Sequence, residues 1–260
     1  MLLPTLRKNT NQVNDATSDD CRLVLDDLRV GYDGSATVVA GVSFRVKAGE
    51  ILVILGKSGI GKTTLLNAIS GLIEIDRGLI AVNGRLAYVM QKDLLLPWRT
   101  SLKNVLLPIE IMGGDTTAAQ VKAEGLLSQE GLGSAGDLYP KELSGGMRQK
   151  VSFIRMQVSD PDIALLDEPF SALDYVSRLR HGKRLREWAL MNQKAVVYVT
   201  HDVEEAIGLG DRLLVLGDSP CRILLETKVD LQESQRDPVV LRESQEFQRK
   251  FSLIWQTLKA

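Results

Sequence analysis

The chain has 260 residues, a length that suits one large domain or two small ones. Its 32 Lys and Arg against 33 Asp and Glu give a formal net charge of −1, so no basic excess points to a nucleic-acid partner. The two cysteines, Cys21 and Cys221, form no CxxC pair, which excludes a disulfide framework and a cysteine zinc site. With 44% hydrophobic residues, the composition is that of an ordinary globular chain and excludes fibrous and disordered classes.

The first twenty residues differ in composition from the rest. After an apolar start interrupted by Pro4, Arg7 and Lys8, residues 9–20 are almost wholly Asn, Thr, Ser, Asp and Gln. No apolar stretch of signal-peptide length follows, so residues 1–20 are predicted to be a flexible tail. The longest apolar runs elsewhere are far shorter than the ~20 residues that a membrane span needs, so we expect no transmembrane segment.

Several short runs of Val, Ile and Leu are apolar throughout rather than alternating. Such runs favour parallel strands covered by helices on both faces, and helix-like stretches lie between them. The predicted strands are Ile51–Leu55, Ile163–Leu166, Val196–Val199 and Leu213–Leu216. The predicted helices are Thr64–Ile69, Ala118–Leu127, Met147–Val158 and Ser177–Met191. The alternation of strands and helices predicts an α/β fold.

Four other segments do not follow this alternation. Arg22–Val30 and Val38–Lys47 alternate apolar and polar residues and are predicted to be antiparallel strands with one solvated face. Strand signals fade from about residue 92 to 160, which predicts a helical insertion (92–160) in a main domain at 21–220. A C-terminal extension, 221–260, has the apolar spacing of an amphipathic helix near its end.

A glycine-rich loop follows the first of the predicted buried strands. Residues Gly56–Thr63 match GxxxxGK[ST], in which glycines allow positive φ and bring backbone N–H groups against phosphate oxygens. Lys62 is expected to reach the β- and γ-phosphates, and Thr63 to hold Mg²⁺ through its hydroxyl. An accidental match in a turn is disfavoured, because a strand precedes the loop and a helix follows it. The predicted nucleotide ligands here are Gly56, Lys57, Ser58, Gly59, Ile60, Gly61, Lys62, Thr63 and Thr64.

Two acidic residues end the second buried run. Asp167 is suited to an Mg²⁺ position beside the P-loop, and the adjacent Glu168 to polarising an attacking water. Helix-capping acids at a solvated strand end are the structural alternative, which the P-loop disfavours. His201 follows the third run, at the edge where ligands gather in open α/β sheets, which favours a γ-phosphate contact. The other histidine, His181, lies in a polar pattern and is predicted to be on a solvated helix face.

The segment Leu143–Gln149 reads LSGGMRQ, a Ser-Gly-Gly turn that opens a helix. Such a turn is a second anion-binding helix N-terminus, and two such devices in one chain indicate two half-sites completed between protomers. Together with the P-loop, this segment resembles the signature of ABC-transporter ATPase subunits, and the resemblance extends from about residue 22 to 220. Further matches in the family's order are Gln91, like the Q-loop, Ser171–Asp174, like the D-loop, and Tyr32, like the aromatic that stacks on adenine.

The resemblance implies a P-loop NTPase (RecA-like) ABC cassette with an antiparallel β subdomain and a helical subdomain insertion. It also implies that two cassettes bind ATP head to tail. Ser144, Gly145 and Gly146 of one cassette would contact the nucleotide on the P-loop of the other. Glu168 would act as general base, and His201 would stabilise the charge that develops in phosphoryl transfer.

The same resemblance implies further roles around the γ-phosphate. Lys62 and Gln91 would join the catalytic set, and Thr63, Gln91 and Asp167 would be the Mg²⁺ ligands. Closure of the dimer would move membrane subunits through the Gln91 region. The cofactors implied are ATP and Mg²⁺, and the implied location is peripheral, at the cytoplasmic face of the inner membrane.

The residues after Gln91 narrow the branch of the family. They are Lys92–Trp98, and a Gln followed by LLPW resembles the nitrate, sulfonate and taurine group of importer ATPases. The implied function is to power uptake of a small solute through separate permease subunits, with a second, identical cassette as partner and a solute-binding protein as an indirect one. Trp98 would then lie against a coupling helix of the permease, the alternative being a loop packed on its own domain.

The chain departs from the family's usual residues in three places. Lys57 and Ile60 occupy variable P-loop positions, so nucleotide binding is not in doubt. Phe153 and Met156 are larger than the usual residues and predict altered packing of the signature helix. The segment Asp76–Val89 is short and predicts a trimmed hairpin.

A soluble ABC ATPase of an assembly or repair system is the competing function. Repair types carry a long coiled-coil insertion, for which the stretch between Thr63 and Leu143 is too short. Translation-factor types carry two cassettes per chain, whereas this chain has one of each motif. An iron–sulfur cluster assembly ATPase of similar length remains the alternative, although LLPW argues against it. A nucleotide-binding regulator without turnover is disfavoured because Glu168 and His201 are both present.

Overall fold

A computed structural model of the chain describes residues 2–3, 20–31 and 37–259. Most of the predicted N-terminal tail therefore lies outside the described residues, as does Tyr32. Leu2–Leu3 forms a two-residue strand at a sheet edge. The tail remains a prediction for the residues in between.

The described residues form ten strands and eight α-helices. The strands are β1 (Leu2–Leu3), β2 (Cys21–Gly31), β3 (Thr37–Lys47), β4 (Ile51–Gly56), β5 (Arg77–Val82), β6 (Leu86–Val89), β7 (Ile163–Asp167), β8 (Ala195–Thr200), β9 (Arg212–Gly217) and β10 (Arg222–Lys228). The helices are α1 (Lys62–Ile69), α2 (Ser101–Ile111), α3 (Thr116–Gln129), α4 (Gly145–Val158), α5 (Tyr175–Met191), α6 (Val203–Leu209), α7 (Pro238–Leu241) and α8 (Gln245–Lys259).

The larger sheet has seven strands in the order β1-β6-β7-β8-β4-β9-β10. Its five inner strands are parallel, while β1 and β10 pair antiparallel at the two edges. The four predicted apolar runs are all inner strands, and the α/β fold is confirmed. The carboxyl ends of β4, β7 and β8 meet at one edge of the sheet, which is the usual ligand edge of such folds.

The smaller sheet has three strands in the order β3-β2-β5, all antiparallel. The two alternating segments form β2 and β3, as predicted. The trimmed hairpin predicted over Asp76–Val89 is wrong, because β5 and β6 belong to different sheets. Gly84 (φ 123°) lets the chain cross between them, and a Cβ there would lie 2.6 Å from the Asp162 side chain. Beyond it, Leu86–Val89 is buried as an inner strand beside β7.

Helices α2, α3 and α4 all lie within the stretch 92–160, where the sequence predicts a helical insertion. They share an apolar cluster of their own, which includes Val105, Leu127 and Val151. The opposite face of α4 belongs to the main core, where Phe153 meets the ring of Phe170 edge-on at 5.3 Å between centroids. One face of α4 thus packs on the insertion and the other on the sheet layer.

The C-terminal part of the chain ends in the amphipathic helix that its spacing predicts. In α8, Phe247 and Ile254 are buried in the main core, while Phe251 and Trp255 stack on each other at the surface. Among the described residues, no helix combines the length and the apolar character required to cross a membrane.

Asn104 in α2 organises the loop that carries Trp98. Its side-chain oxygen accepts from the Leu96 N–H at 2.7 Å. Its amide nitrogen donates to the carbonyls of Leu96, Arg99 and Thr100 at 3.1, 2.9 and 3.0 Å. The residue is fully buried, so these bonds satisfy both ends of its amide and fix the loop path.

We expect Asn104→Ala to lower the free energy of unfolding by about 2 kcal/mol, because it leaves buried loop groups without their partners. The measurement is urea unfolding followed by circular dichroism. Lys103→Ala changes an exposed side chain one position earlier and serves as the control, with no comparable loss expected. Equal stability of the two variants would contradict the role given to Asn104.

Candidate functional site

The P-loop connects the end of β4 to the start of α1. Gly59 and Gly61 have φ of 79° and 112°, values that favour glycine, and Gly61 caps the helix. A Cβ on Gly61 would lie 3.0 Å from Val38 Cγ1, so the adjacent chain also requires a glycine there. The loop therefore places backbone N–H groups and a helix N-terminus around one concave space, as its motif predicts.

Lys62, the motif lysine, is buried at the base of this loop. Its Nζ donates to the carbonyl oxygens of Gly56 at 2.7 Å and Lys57 at 3.0 Å. Burial lowers the pKa of Lys62 from its usual value, and the nearby Glu168 and Asp167 partly oppose that shift. The ammonium group is thus held by the loop backbone next to two acidic side chains.

Thr63 and Asp167 come together although β8 lies between the strands that precede them. Thr63 Oγ1 donates to Asp167 Oδ2 at 2.7 Å. Burial raises the pKa of Asp167, while the bond from Thr63 opposes that effect. A hydroxyl and a carboxylate are hard oxygen ligands of the kind Mg²⁺ prefers, and an Mg²⁺ site commonly takes only one or two of them from the protein. The donor set therefore fits this ion, although the described residues contain no cluster of three His, Cys, Asp or Glu side chains arranged for a metal.

Glu168 is the point where three predicted residues meet. Its Oε1 lies 2.9 Å from His201 Nδ1, and its Oε2 accepts from Gln91 Nε2 at 3.5 Å. Its φ of 45° is left-handed, a conformation that costs a residue with a side chain about 1 kcal/mol or more. The backbone N–H of Glu168 donates to the Val199 carbonyl at 3.0 Å, which holds this turn against β8.

A cavity of about 450 Å³ opens between the P-loop and these side chains. It is lined by Val38, Ser58, Gly59, Gly61, Lys62, Thr63, Thr64, Gln91, Asp167, Glu168 and His201. Its volume is in the range of small-molecule sites. Val38 is the lining residue that the sequence analysis did not assign to the site. The one sequence feature that could have indicated it is its position at the start of the predicted strand that follows the Tyr32 turn. Gly56, Lys57 and Ile60 belong to the loop but do not line the cavity.

The signature serine begins α4, outside this cavity. Ser144 Oγ accepts from the Met147 N–H at 3.2 Å, which makes it the N-cap of the helix. Neither Ser144 nor the next two residues, Gly145 and Gly146, line the cavity of their own chain. A Cβ on Gly146 would lie 2.7 Å from Leu173 Cδ2, so the signature turn packs closely on the D-loop.

Gln149 is a positioning residue that sequence reasoning missed. Its Oε1 accepts from the Ala172 N–H at 2.9 Å, and its Nε2 donates to Ser171 Oγ at 3.1 Å. It therefore fastens the signature helix to the D-loop. The signal was available, since Gln149 closes the LSGGMRQ segment.

The prediction that His181 lies on a solvated helix face is wrong, because its side chain is only 3% exposed. Its ring packs on Phe170 with centroids 5.3 Å apart. Its Nδ1 lies 3.0 Å from Glu130 Oε2 without the orientation of a directed hydrogen bond. Arg184 Nη1 reaches the other oxygen of Glu130 at 2.7 Å. The polar sequence around His181 gave no indication of its partner Glu130, which lies about fifty residues earlier at the end of α3.

Burial lowers the pKa of His181 below its usual value, with Glu130 opposing the shift and Lys150, Arg184 and Arg180 adding to it. The folded chain therefore holds this imidazole neutral more strongly than the unfolded chain does. Because the unfolded state binds the proton first, stability should fall as the pH drops below about 6.5 toward the folded pKa.

We expect His181→Met to reduce the loss of stability between pH 7.5 and pH 5.5. Methionine keeps an apolar contact with Phe170 and has no proton to bind. The measurement is the thermal unfolding midpoint of both proteins across this range. A His181→Met protein that follows the parent's curve would contradict this prediction.

The strand, phosphate loop and helix, with Asp167, Glu168 and His201 beside them, define a P-loop nucleotide-binding protein. Comparison with known proteins identifies the family of this protein. The family model for the ABC transporter matches residues 39–171. The chain therefore belongs to the ABC transporter ATP-binding family and is an ATPase subunit of that family.

Its similarity to individual proteins extends over most of the chain. The formylaminopyrimidine import ATP-binding protein of Halalkalibacterium halodurans is 39% identical over 209 residues, or 80% of this chain and 84% of that protein. The aliphatic sulfonates import ATP-binding protein of Mycobacterium sp. (strain MCS) is 40% identical over 198 residues, or 76% of this chain and 80% of that protein. A solved dimeric bacterial ABC transporter cassette has 28% identity and a TM-score of 0.71, covering 81% of this chain and 100% of that one.

Proposed function

We propose that the chain powers import of a small solute by binding and hydrolysing ATP in the cavity beside its P-loop. The loop backbone from Ser58 to Thr64 holds the phosphates through its N–H groups and the start of α1. Lys62 exchanges its carbonyl partners for β- and γ-phosphate oxygens, which are within reach because its ammonium group is already at the loop. Tyr32, outside the described residues, stays a proposal for adenine stacking.

Mg²⁺ belongs at the junction of Thr63, Asp167 and Gln91. The contact of Thr63 with Asp167 brings two oxygen ligands to one point, and Gln91 lines the same cavity. When bound, the ion neutralises charge on the β- and γ-phosphates. The protein's part is to hold that junction at the carboxyl ends of β4 and β7.

Glu168 acts as general base on the attacking water, taking its proton on a carboxylate oxygen. The observation that carries this role is its 2.9 Å contact with His201, which fixes the carboxylate at the cavity wall. His201 then stabilises charge on the transferred phosphoryl group.

A second copy of the chain completes the site. Ser144, Gly145 and Gly146 lie outside the cavity of their own chain, yet they form a helix N-terminus suited to a phosphate. A head-to-tail pair would place them over the partner's P-loop. The solved cassette with a TM-score of 0.71 to this chain is a dimer, which supports this arrangement.

We expect Glu168→Gln to bind ATP about as tightly as the parent but to hydrolyse it on the order of a hundredfold more slowly, because an amide cannot take the proton. ATP-dependent dimerisation should persist and be longer-lived. The measurements are phosphate release at saturating ATP and size-exclusion chromatography with ATP. Glu124→Gln, an exposed change on α3, is the control and should match the parent. Unchanged turnover in Glu168→Gln would remove the general-base assignment.

The permease contact is proposed at the loop that follows Gln91. Trp98 is 72% exposed, although Asn104 fixes its loop by four hydrogen bonds. A rigid loop that presents an exposed indole is typical of a protein interface anchor rather than of packing on its own domain. The chain would then act at the cytoplasmic face of the membrane, with permease subunits beside it and a solute-binding protein acting through them.

The proposed solute class is nitrate, a sulfonate or taurine. It is supported by the LLPW segment and by a relative named for import of aliphatic sulfonates, the chemical class to which taurine belongs. An iron–sulfur assembly ATPase is not favoured, since the relatives are named as import ATP-binding proteins. Co-purification separates the two, because an importer subunit brings a membrane protein with it and an assembly ATPase brings a soluble scaffold.

We expect Trp98→Ala to keep ATP binding and to lower solute-stimulated ATP turnover of the assembled transporter by about tenfold, as for an aromatic interface anchor. The measurement uses the chain co-expressed with its permease in vesicles, with and without solute-loaded binding protein. Trp255→Ala removes another exposed indole, on α8, and should keep stimulation. Full stimulation with Trp98→Ala would contradict the interface role.

A further inference from the structure

Helices α5 and α6 begin directly after the D-loop and after His201–Asp202, respectively. Helix α6 starts after His201 and Asp202, and the Asp202 side chain caps it by accepting from the N–H groups of Glu204 and Glu205. Helix α5 starts after the D-loop, with Asp174 as its cap. The first turns of α5 and α6 therefore set where the D-loop and His201 lie.

The C-terminal extension holds the far end of α6. Arg236 Nη1 donates to the carbonyls of Ile207, Gly208 and Gly210 at 3.4, 3.1 and 2.9 Å. The first two lie in the last turn of α6 and Gly210 is its C-cap, and carbonyls at a helix C-terminus lack partners within the helix. The Arg236 side chain is only 6% exposed, so this is a buried cap supplied from outside the helix.

The extension also holds the near end of α6 and joins it to α5. Arg242 donates to both carboxylate oxygens of Glu204, at 2.6 and 2.8 Å, in the first turn of α6. The same guanidinium donates to the hydroxyl of Tyr175, the first residue of α5, at 3.0 Å. Tyr175 in turn donates to Glu204 at 2.9 Å. The bonds from Arg242 are the main reason that the pKa of Glu204 is lowered.

Apolar side chains of α5, α6 and the extension, among them Leu185, Ile207 and Leu241, share the main core. A cavity of about 740 Å³ lies among α5, α6 and the extension. Its lining includes Glu204 on α6, Gly182 on α5, and Arg236 and Leu241 from the extension. Beside this cavity, the directed polar contacts of Arg236 and Arg242 add to core packing in placing the two helices.

We propose that Arg242 is a positioning residue for ATP hydrolysis, which ties the first turns of α5 and α6 together and so sets the D-loop and His201 relative to Glu168. Arg236 supports it by capping the other end of α6. This inference rests on the proposed role of His201. It gives the C-terminal extension a function in the chemical step, although none of its residues lines the nucleotide cavity.

The competing explanation is that Arg242 makes an ordinary surface ion pair. Its side chain is 60% exposed, and exposed pairs often contribute little to stability. If Arg242 made only a surface pair, removing it would leave kcat unchanged, and the effects of the Arg242 and Glu204 substitutions on kcat would be independent. A positioning role predicts a lower kcat with an unchanged KM, because the P-loop that binds ATP is not involved.

The test compares Arg242→Gln with Arg249→Gln in the full-length chain. Arg249 is a matched control, since it is an exposed arginine of the same extension paired with Glu246 at 2.8 Å. We expect Arg242→Gln to lower kcat about fivefold with KM within about twofold, a size typical of residues that act through others. Arg249→Gln should match the parent. Turnover is measured well below the unfolding transition of each protein, which is recorded separately.

A double-mutant cycle with Glu204→Gln tests whether Arg242 affects kcat through its contact with Glu204. If Arg242 acts through Glu204, the double variant should be no slower than the slower single variant. Equal kcat for Arg242→Gln and the parent, or losses that multiply in the double variant, would overturn the proposal. The variant His201→Ala distinguishes a failure of the proposed role of His201 from a failure of the positioning role of Arg242. Normal turnover in His201→Ala refutes the role of His201, whereas slow His201→Ala beside normal Arg242→Gln refutes only the positioning role.

Discussion

The hydrogen bond from Thr63 to Asp167 is the contact on which the rest of the site depends. It joins the start of α1 to the end of β7 across an intervening strand, so it forms only when the parallel register of β4, β8 and β7 is correct. The same register places Glu168 beside His201, since β8 lies between the two joined elements. Burial of Asp167 makes its charged form costly, and the Thr63 hydroxyl offsets part of that cost. The proposed nucleotide and Mg²⁺ site thus depends on the order of the strands in the sheet.

Features that depend on residues close together in the sequence could be predicted from it. The P-loop, the acidic pair and the signature turn each combine a few adjacent residues with a local backbone requirement, and the structure shows Gly59 and Gly61 in that conformation. Continuous apolar runs identified the inner strands because burial on both faces leaves no alternation. By contrast, β6 has only four residues and directly follows a turn, so its membership of the large sheet depends on β7, whose first residue lies more than seventy positions later in the chain.

The wrong prediction for His181 and the missed role of Gln149 have one physical cause. Residues distant in the sequence can bury a side chain or pair with it. His181 lies among Arg180, Lys183 and Arg184, a pattern typical of a solvated helix face, yet Glu130 and Phe170 enclose it. Contacts with the residue that caps α3 and with the segment after β7 determine that outcome, and no local pattern encodes them. Gln149 illustrates the same limit, because its bonds to the D-loop connect residues more than twenty positions apart.

Helix α4 connects the signature to the chemistry of its own chain. Phe153 and Met156 on one face pack into the main core around Phe170, which follows Glu168 by two residues. Val151 on the other face packs into the cluster of the helical insertion. Ser144 therefore begins a helix that is fastened to the acidic strand by apolar packing and to the D-loop by Gln149. Since protein interiors resist small displacements, the signature of one chain cannot shift without disturbing the turn that carries Glu168. In a head-to-tail pair this linkage would connect each nucleotide cavity to the other.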